Sequence, residues 1–224
     1  MQEFRAAVFD LDGTIVGIDL FAAWCRRHFS RRPIGFIRAL LRLDFARATL
    51  SANPRDAFKS CLAASCLRSR ISAAELDLDL EKFVGWALAE HVSKHAITEI
   101  EKHHRAGRLL VLATGSLHIY AAPIGHALGF HETVATQVDP VLGPANAGIV
   151  GNNIRGIVKR DAVQRCLHTH GLSLQADAVS YADSISDFPL LESSAGAVLV
   201  NPSPRTAKVA THRKFAIANW HDSQ

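Results

Sequence analysis

Short apolar runs that break abruptly at a polar turn, separated by stretches with helical periodicity, constrain the fold of this chain more than any other feature. The first is Ala6-Ala7-Val8-Phe9, which stops at Asp10. The pattern recurs at Arg108–Ala113, at Ala178–Ala182 before Asp183, and at Gly196–Val200 before Asn201-Pro202. Apolar runs of this length suit strands buried on both faces, as in a parallel sheet covered by helices. The intervening helices supply that cover. Ile97–Ala106 stops at Gly107, and Arg160–His170, with Val163 and Leu167 on one face, stops at Gly171. Glycine ends helices because it enters the left-handed conformation without a Cβ clash. Strands alternating with helices predict an α/β core with a parallel sheet. Ligands in such sheets gather beyond the carboxyl ends of the strands, so the residues just past each run are the first candidates for chemistry.

Residues from about Gly17 to His95 break this rhythm, being helical throughout with no convincing strand. They predict an inserted helical domain, residues 17–95, between core segments 1–16 and 96–224. Asn53-Pro54 followed by Asp56 reads as a helix start, with a cap, a proline in the first turn and an acid near the positive end of the dipole. Ser72 with Glu75 forms a capping-box pattern, Ile71 and Leu76 are placed as a hydrophobic staple, and Leu76, Leu80, Phe83 and Ala87 mark one helical face. Residues 76–80 (LDLDL) also alternate like a strand, but the cap and the continuing 3.6-residue period outweigh five residues of alternation.

At 224 residues and 48% hydrophobic, the chain can bury a substantial core, which excludes disordered and fibrous classes. The net charge of +4 is too mild to imply nucleic acid as a partner. An acidic loop precedes any apolar run long enough for a secretion signal, and no stretch of about 18 uncharged apolar residues follows, so a cytoplasmic chain is expected. Cys25, Cys61, Cys66 and Cys166 include no C-x-x-C pair, and His103-His104 and His168/His170 lack the i, i+4 spacing that aims two imidazoles at one ion.

Four places carry candidate chemistry. Asp10 and Asp12 flank Leu11 at a strand end, with Gly13 letting the backbone turn, so both carboxylates can face one pocket; the same residues also fit a turn with solvated acids. Thr114 and Gly115 end a hydrophobic strand with a hydroxyl and an unobstructed N–H, suited to phosphate oxygens, although any Thr-Gly turn looks alike. Lys159 follows a glycine-rich segment, Gly148–Gly156, that reads as a small hairpin or flap, and it opens a helix where its charge opposes the macrodipole. Asp183 and Asp187 lie four apart just after a strand and ahead of an apolar helix.

Taken in order, these segments resemble the motifs of the haloacid dehalogenase (HAD) superfamily. Phe9–Thr14 (FDLDGT) looks like the first signature, Thr114 like the second motif and Lys159 like the third. Residues 183–191 (DSISDFPLL) resemble the fourth, with Ala182 where the family usually has glycine. Residues 115–130 are similar to subfamily IB, and an insert after the first motif looks like the helical C1 cap of phosphoserine-phosphatase relatives. The resemblance implies a Rossmann-like three-layer core and hydrolysis of a phosphate monoester. Asp10 would then be the nucleophile, Asp12 the general acid/base, and Thr114, Gly115 and Lys159 the phosphate cradle. It also implies Mg2+, held by Asp10, Asp12 and Asp183, with Asp187 holding a metal-bound water or orienting the lysine.

Charge supports the cation, because two carboxylates about 4 Å apart repel by about 4 kcal/mol at an effective dielectric near 20, and oxygen-only ligands favour Mg2+. Substrate choice should lie in the cap. Between Arg26 and Arg47 stand Arg26, Arg27, Arg31, Arg32, Arg38, Arg42 and Arg47 against one acid, Asp44, with Ile34, Ile37, Leu41 and Phe45 at helical spacing. A cap helix packing its apolar face inward explains this stretch, and so does contact with an anionic membrane and a lipid phosphate. Arg31-Arg32-Pro33 and Thr114-Gly115-Ser116 are similar to segments of HAD-type phosphatidylglycerophosphatases. Asp19 stands where phosphoserine phosphatases place an acid that reads the substrate amine, within a poorly matching context. A non-catalytic phospho-ligand-binding protein on the same fold is the reading from another class.

Overall fold

The computed structural model describes residues 4–31, 54–68, 72–138 and 148–220. Strands Ala6–Phe9 (β1), Leu109–Leu117 (β2), Glu132–Thr136 (β3), Ala178–Ala182 (β4), Gly196–Val200 (β5) and Ala216–Ala218 (β6) form one sheet in the order β3-β2-β1-β4-β5-β6. Every pairing is parallel. The described helices are Leu20–Arg31 (α1), Pro54–Arg68 (α2), Ala73–Glu90 (α3), Lys94–Arg105 (α4), His118–Ala127 (α5), Ile157–Thr169 (α6), Leu174–Asp177 (α7), Phe188–Ser193 (α8) and Pro204–Ala210 (α9). This is the expected α/β architecture.

β1 shows why the fold has three layers. Its residues alternate between two buried faces. Ala7 and Phe9 join a cluster with Tyr120, Ile124, Ile100 and Trp220, whereas Ala6 and Val8 join Val163, Leu167 and Leu190 on the other side. Phe9 stacks on Tyr181 with ring centroids 4.5 Å apart. The first cluster continues without a break into the inserted helices through Leu20, Trp24, Ala63, Cys66, Phe83 and Ala87, and Phe83 meets Tyr120 edge to face at 5.3 Å.

The capping box closes as the sequence implies: the Glu75 N–H donates to Ser72 Oγ (3.3 Å) and the Ser72 N–H donates to Glu75 Oε2 (2.9 Å). The alternating 76–80 stretch is helical, with Phe83 and Ala87 buried. Gly107 and Gly171 stop their helices at φ +66° and +67°. β2 runs past Ala113, where the sequence reading ended it, through Thr114-Gly115-Ser116 to Leu117, with a register shift against β3 between Thr114 and Leu117. Two edge strands, β3 and β6, are absent from the sequence reading. In the glycine-rich flap, the Val150 N–H donates to the Gln137 carbonyl (2.9 Å), and Ile149 bridges antiparallel to Val138. The stripe at Ile34, Ile37, Leu41 and Phe45 and the arginines from Arg32 to Arg47 lie outside the described residues, as does Ile71. Arg31 is described, and its guanidinium reaches Asp79 of α3 at 2.8 Å. Among the described residues, no helix is long and apolar enough to cross a membrane.

Candidate active site

Connections leave β1 toward β2 on one side, and β4 lies on the other, so the strand order reverses at β1. A crevice opens beyond the strands' carboxyl ends at such a point. Asp10 follows β1 and Asp183 follows β4, whose last residues are in register as Phe9 and Tyr181. The Asp10 N–H donates to the Tyr181 carbonyl at 2.9 Å, which locks the two strand ends together. Gly13 turns the intervening loop at φ +79°, where a Cβ would stand 2.5 Å from Asp183 Oδ2. Glycine is therefore required for both its conformation and its close approach.

Lys159 lies in the first turn of α6, behind Gly156 at φ +59°. Its ammonium sits 2.7 Å from Asp10 Oδ1 and 2.6 Å from Asp187 Oδ1, with all three residues at most 5% exposed. Burial lowers the lysine's proton affinity, but the two carboxylates outweigh it and hold the ammonium charged. Burial pushes the Asp10 carboxyl well up, Lys159 opposes that, and Asp187, Asp183 and Asp12 add to it. Burial, then Asp187, lift the Asp183 carboxyl to about 6. Asp187 is fixed by the Ser184 hydroxyl, which donates to Oδ2 at 2.9 Å.

Carboxylate oxygens of Asp10, Asp183 and Asp187 lie within 4.8 Å of one another. One ammonium cannot neutralise two buried carboxylates and a partly buried third, and a hard divalent cation with oxygen ligands fits the remaining charge. Of the expected ligands, Asp10 and Asp183 fall in this cluster together with Asp187. The side chain of Asp12 is committed elsewhere: Oδ1 accepts from the Leu20 N–H (2.7 Å), and Oδ2 accepts from Thr114 Oγ1 (3.2 Å) and Ser116 Oγ (2.8 Å). Asp187 lies with Asp10 and Asp183 in the carboxylate group and pairs with Lys159. Burial raises the Asp12 carboxyl, and those three donors oppose the rise.

Thr114 bonds Asp12. Its hydroxyl is fully buried and turned to Asp12, leaving Gly115 and Ser116 to form that part of the wall. The cavity, about 570 Å³, is lined by Asp10, Asp12, Lys159, Asp183 and Asp187 on the core side and by Asp19, Phe21, Phe58 and Lys59 from the insert.

Lys59 is a site residue that the sequence reading missed. Its ammonium donates to the Gly115 carbonyl and to Asn153 Oδ1 (3.0 Å), and lies over the Phe21 ring at 5.1 Å. Burial lowers its proton affinity, against the pull of Asp12, Asp19 and Asp56. Asn153 ties the flap to both walls: its amide donates to Asp56 Oδ1 (2.7 Å), and its Oδ1 lies 2.9 Å from the Thr136 hydroxyl. A single lysine within a mixed helix carries no sequence signal. Asn153 lies inside the glycine-rich flap, where its side-chain role has no sequence signature.

A buried carboxylate beside a lysine and two further acids at a strand-end crevice is the constellation of an aspartate-dependent hydrolase. The chain belongs to the haloacid dehalogenase-like hydrolases, whose family model matches residues 7–192. It is similar to a protein named for inhibition of morphological differentiation in Streptomyces azureus, at 27% identity over 96% of this chain and 78% of that one. It is also similar to the phosphoserine phosphatase SerB1 of Mycobacterium tuberculosis, at 27% identity over 96% of this chain and 70% of the relative. A histidinol-phosphatase of Neisseria meningitidis is 24% identical over 96% and 98% of the two chains. A solved structure from Bordetella pertussis Tohama I, of unknown function, superposes with TM-score 0.78 at 26% identity, covering 98% of this chain and all 100% of that one. A phosphoserine phosphatase in its apo form shares the fold, with TM-score 0.67 at 13% identity over 98% and 94% of the chains. Some of these relatives are named as phosphatases, and this chain shares their family and its fold.

Proposed function

We propose that this protein is a Mg2+-dependent phosphatase that hydrolyses a small phosphate monoester through an aspartyl-phosphate on Asp10. The observation that carries this reading is the buried Asp10 carboxylate, 2.7 Å from Lys159 and grouped with Asp183 and Asp187 at the mouth of the β1/β4 crevice. Asp10, Asp183 and Asp187 are the side chains that would hold the ion, which when bound neutralises charge and polarises a phosphoryl oxygen. Lys159 favours the ionised form of Asp10 against burial and offers charge to the transferring group, while the Gly115 backbone bounds the cradle. Asp10 attacks phosphorus, and Asp12 protonates the departing alkoxide. Asp12 then takes a proton from the water that cleaves the acyl phosphate.

Residues 17–95 serve in this reading as a cap that limits water access and selects the leaving group. The insert supplies Asp19 and Lys59 to the cavity wall, opposite charges that suit a small polar leaving group. The relatives are named for different substrates, phosphoserine and histidinol phosphate, so the reading stops at the class of small phosphorylated metabolites. Turnover of a panel of phosphorylated metabolites with Mg2+ tests it. Asp10→Asn should abolish turnover while phosphate still binds. A variant as active as the parent chain would refute the reading, and a parent chain that binds phosphate without turnover would favour a binding module.

A further inference from the structure

The hydroxyl proton directions around Asp12 can be assigned from their neighbours. Ser116 Oγ accepts from the Tyr120 hydroxyl (3.2 Å), so its own proton is free to go to Asp12 Oδ2 at 2.8 Å. Thr114 Oγ1 accepts from the Ser116 N–H (2.9 Å), so its proton also goes to Oδ2, at 3.2 Å. A carboxylate oxygen has two in-plane lone pairs, and on Oδ2 both are occupied. Oδ1 accepts one bond, from the Leu20 N–H at the start of α1 (2.7 Å), and keeps one lone pair. Ser116 and Tyr120 are 2% and 0% exposed, so water does not compete for these hydroxyls.

We infer that Ser116, held by Tyr120, is a positioning residue that reserves Asp12 Oδ2 as an acceptor and leaves Oδ1 as the atom that carries the transferred proton. This rests on the phosphatase reading above. In the first step the Asp10 Oδ–P bond forms as the P–O bond to the leaving group breaks, and the proton on Asp12 Oδ1 passes to the departing oxygen. In the second step Asp12 Oδ1 takes a proton from water as the water oxygen bonds to phosphorus and Asp10 regains its electron pair. Without Ser116 only the longer Thr114 bond (3.2 Å) holds Oδ2, so the Asp12 carboxyl is less firmly fixed and the proton is aimed less well at the leaving oxygen. The loss should therefore grow as the leaving group becomes a poorer one, because an activated phenolate departs without help.

The test compares kcat/KM for the full chain with Mg2+ on p-nitrophenyl, phenyl and benzyl phosphate. The parent chain should vary little along the series. Ser116→Ala should lose about tenfold or more on benzyl phosphate, the scale of a hydrogen bond to a charged group. It should lose no more than about twofold on p-nitrophenyl phosphate, which needs little proton transfer. Ser116→Thr, which keeps a hydroxyl, should restore the flat profile. Tyr120→Phe, which keeps the ring packed on Trp24 and Phe83, should tilt the series in the same direction and carries the test should Ser116→Ala fail to fold. An equal loss on all three esters would overturn the positioning role and leave the phosphatase reading standing. No turnover by the parent chain would overturn both.

Discussion

Replacing Lys159 by methionine would remove the cation between Asp10 and Asp187 while nearly preserving its volume. At 2.7 and 2.6 Å, each attraction is about 6 kcal/mol at an effective dielectric near 20. The desolvation of the ammonium cancels much of that sum, so the net effect is set by the carboxylates left behind. A buried pair broken from one side costs about 3–5 kcal/mol. The sign with pH follows from linkage. Without the lysine, the buried Asp10 carboxyl, already pushed up by desolvation, titrates in the folded state above its unfolded value of about 3.9, so the folded variant binds more protons than the unfolded chain. Its stability therefore rises as pH falls through that raised range, and the deficit closes. Urea unfolding in the presence of a chelator should show the variant less stable by about 3–5 kcal/mol at a pH of about 8, with the gap at least halved at a pH of about 5. Asp187→Asn added to Lys159→Met should recover about 1 kcal/mol or more, as expected of coupled neighbours. A gap below about 1 kcal/mol, the value of an exposed pair, or one that does not change with pH, would refute the reasoning.

Gly13→Ala should cost about 1–3 kcal/mol of stability, because it adds strain at a positive φ, and about a hundredfold or more in turnover, because its Cβ displaces Asp183; denaturation and initial rates check both. The Asp183 carboxyl, raised to about 6 without an ion, must lose its proton to bind one, so Mg2+ affinity measured by calorimetry should fall as pH drops through about 6. An affinity constant from pH about 8 to about 5 would contradict the assignment of Asp183, since proton competition is required of a carboxylate ligand. Ser72→Ala opens the capping box at the exposed start of α3 and should lower stability by about 1 kcal/mol, leaving turnover unchanged.

The fold was legible wherever burial on both faces left a run of apolar residues. β1, β4 and β5 were read within their true bounds because a covered parallel strand is made mostly of apolar residues. β3 (Glu132–Thr136) and β6 (Ala216–Ala218) escaped notice because edge strands are half exposed and short, so their composition resembles that of a loop. The Thr114-Gly115-Ser116 stretch, where a strand end and a turn look alike in sequence, is strand, since β3 pairs with Thr114 and Leu117 on either side of it.

Within the site, the residues just past strand ends were legible as candidates because strand topology alone brings Asp10 and Asp183 together. Side-chain direction was not. Spacing cannot show that Asp12 faces Thr114, Ser116 and Leu20, or that Asp187 joins Asp10 and Asp183. Lys59 was hidden for a related reason. It enters the cavity through the packing of α2 against the core, a long-range relation that a lone lysine in a helix does not announce.

The most direct test of the account is to look for the covalent intermediate. With Asp12→Asn, which can neither activate water nor protonate a leaving group, p-nitrophenyl phosphate, whose phenolate departs without help, and Mg2+ should leave one phosphoryl group on the chain after acid quench, mapped by peptide mass spectrometry to Asp10. Phosphorylation at another residue, or released product with no trapped phosphoryl group in single-turnover samples, would contradict it.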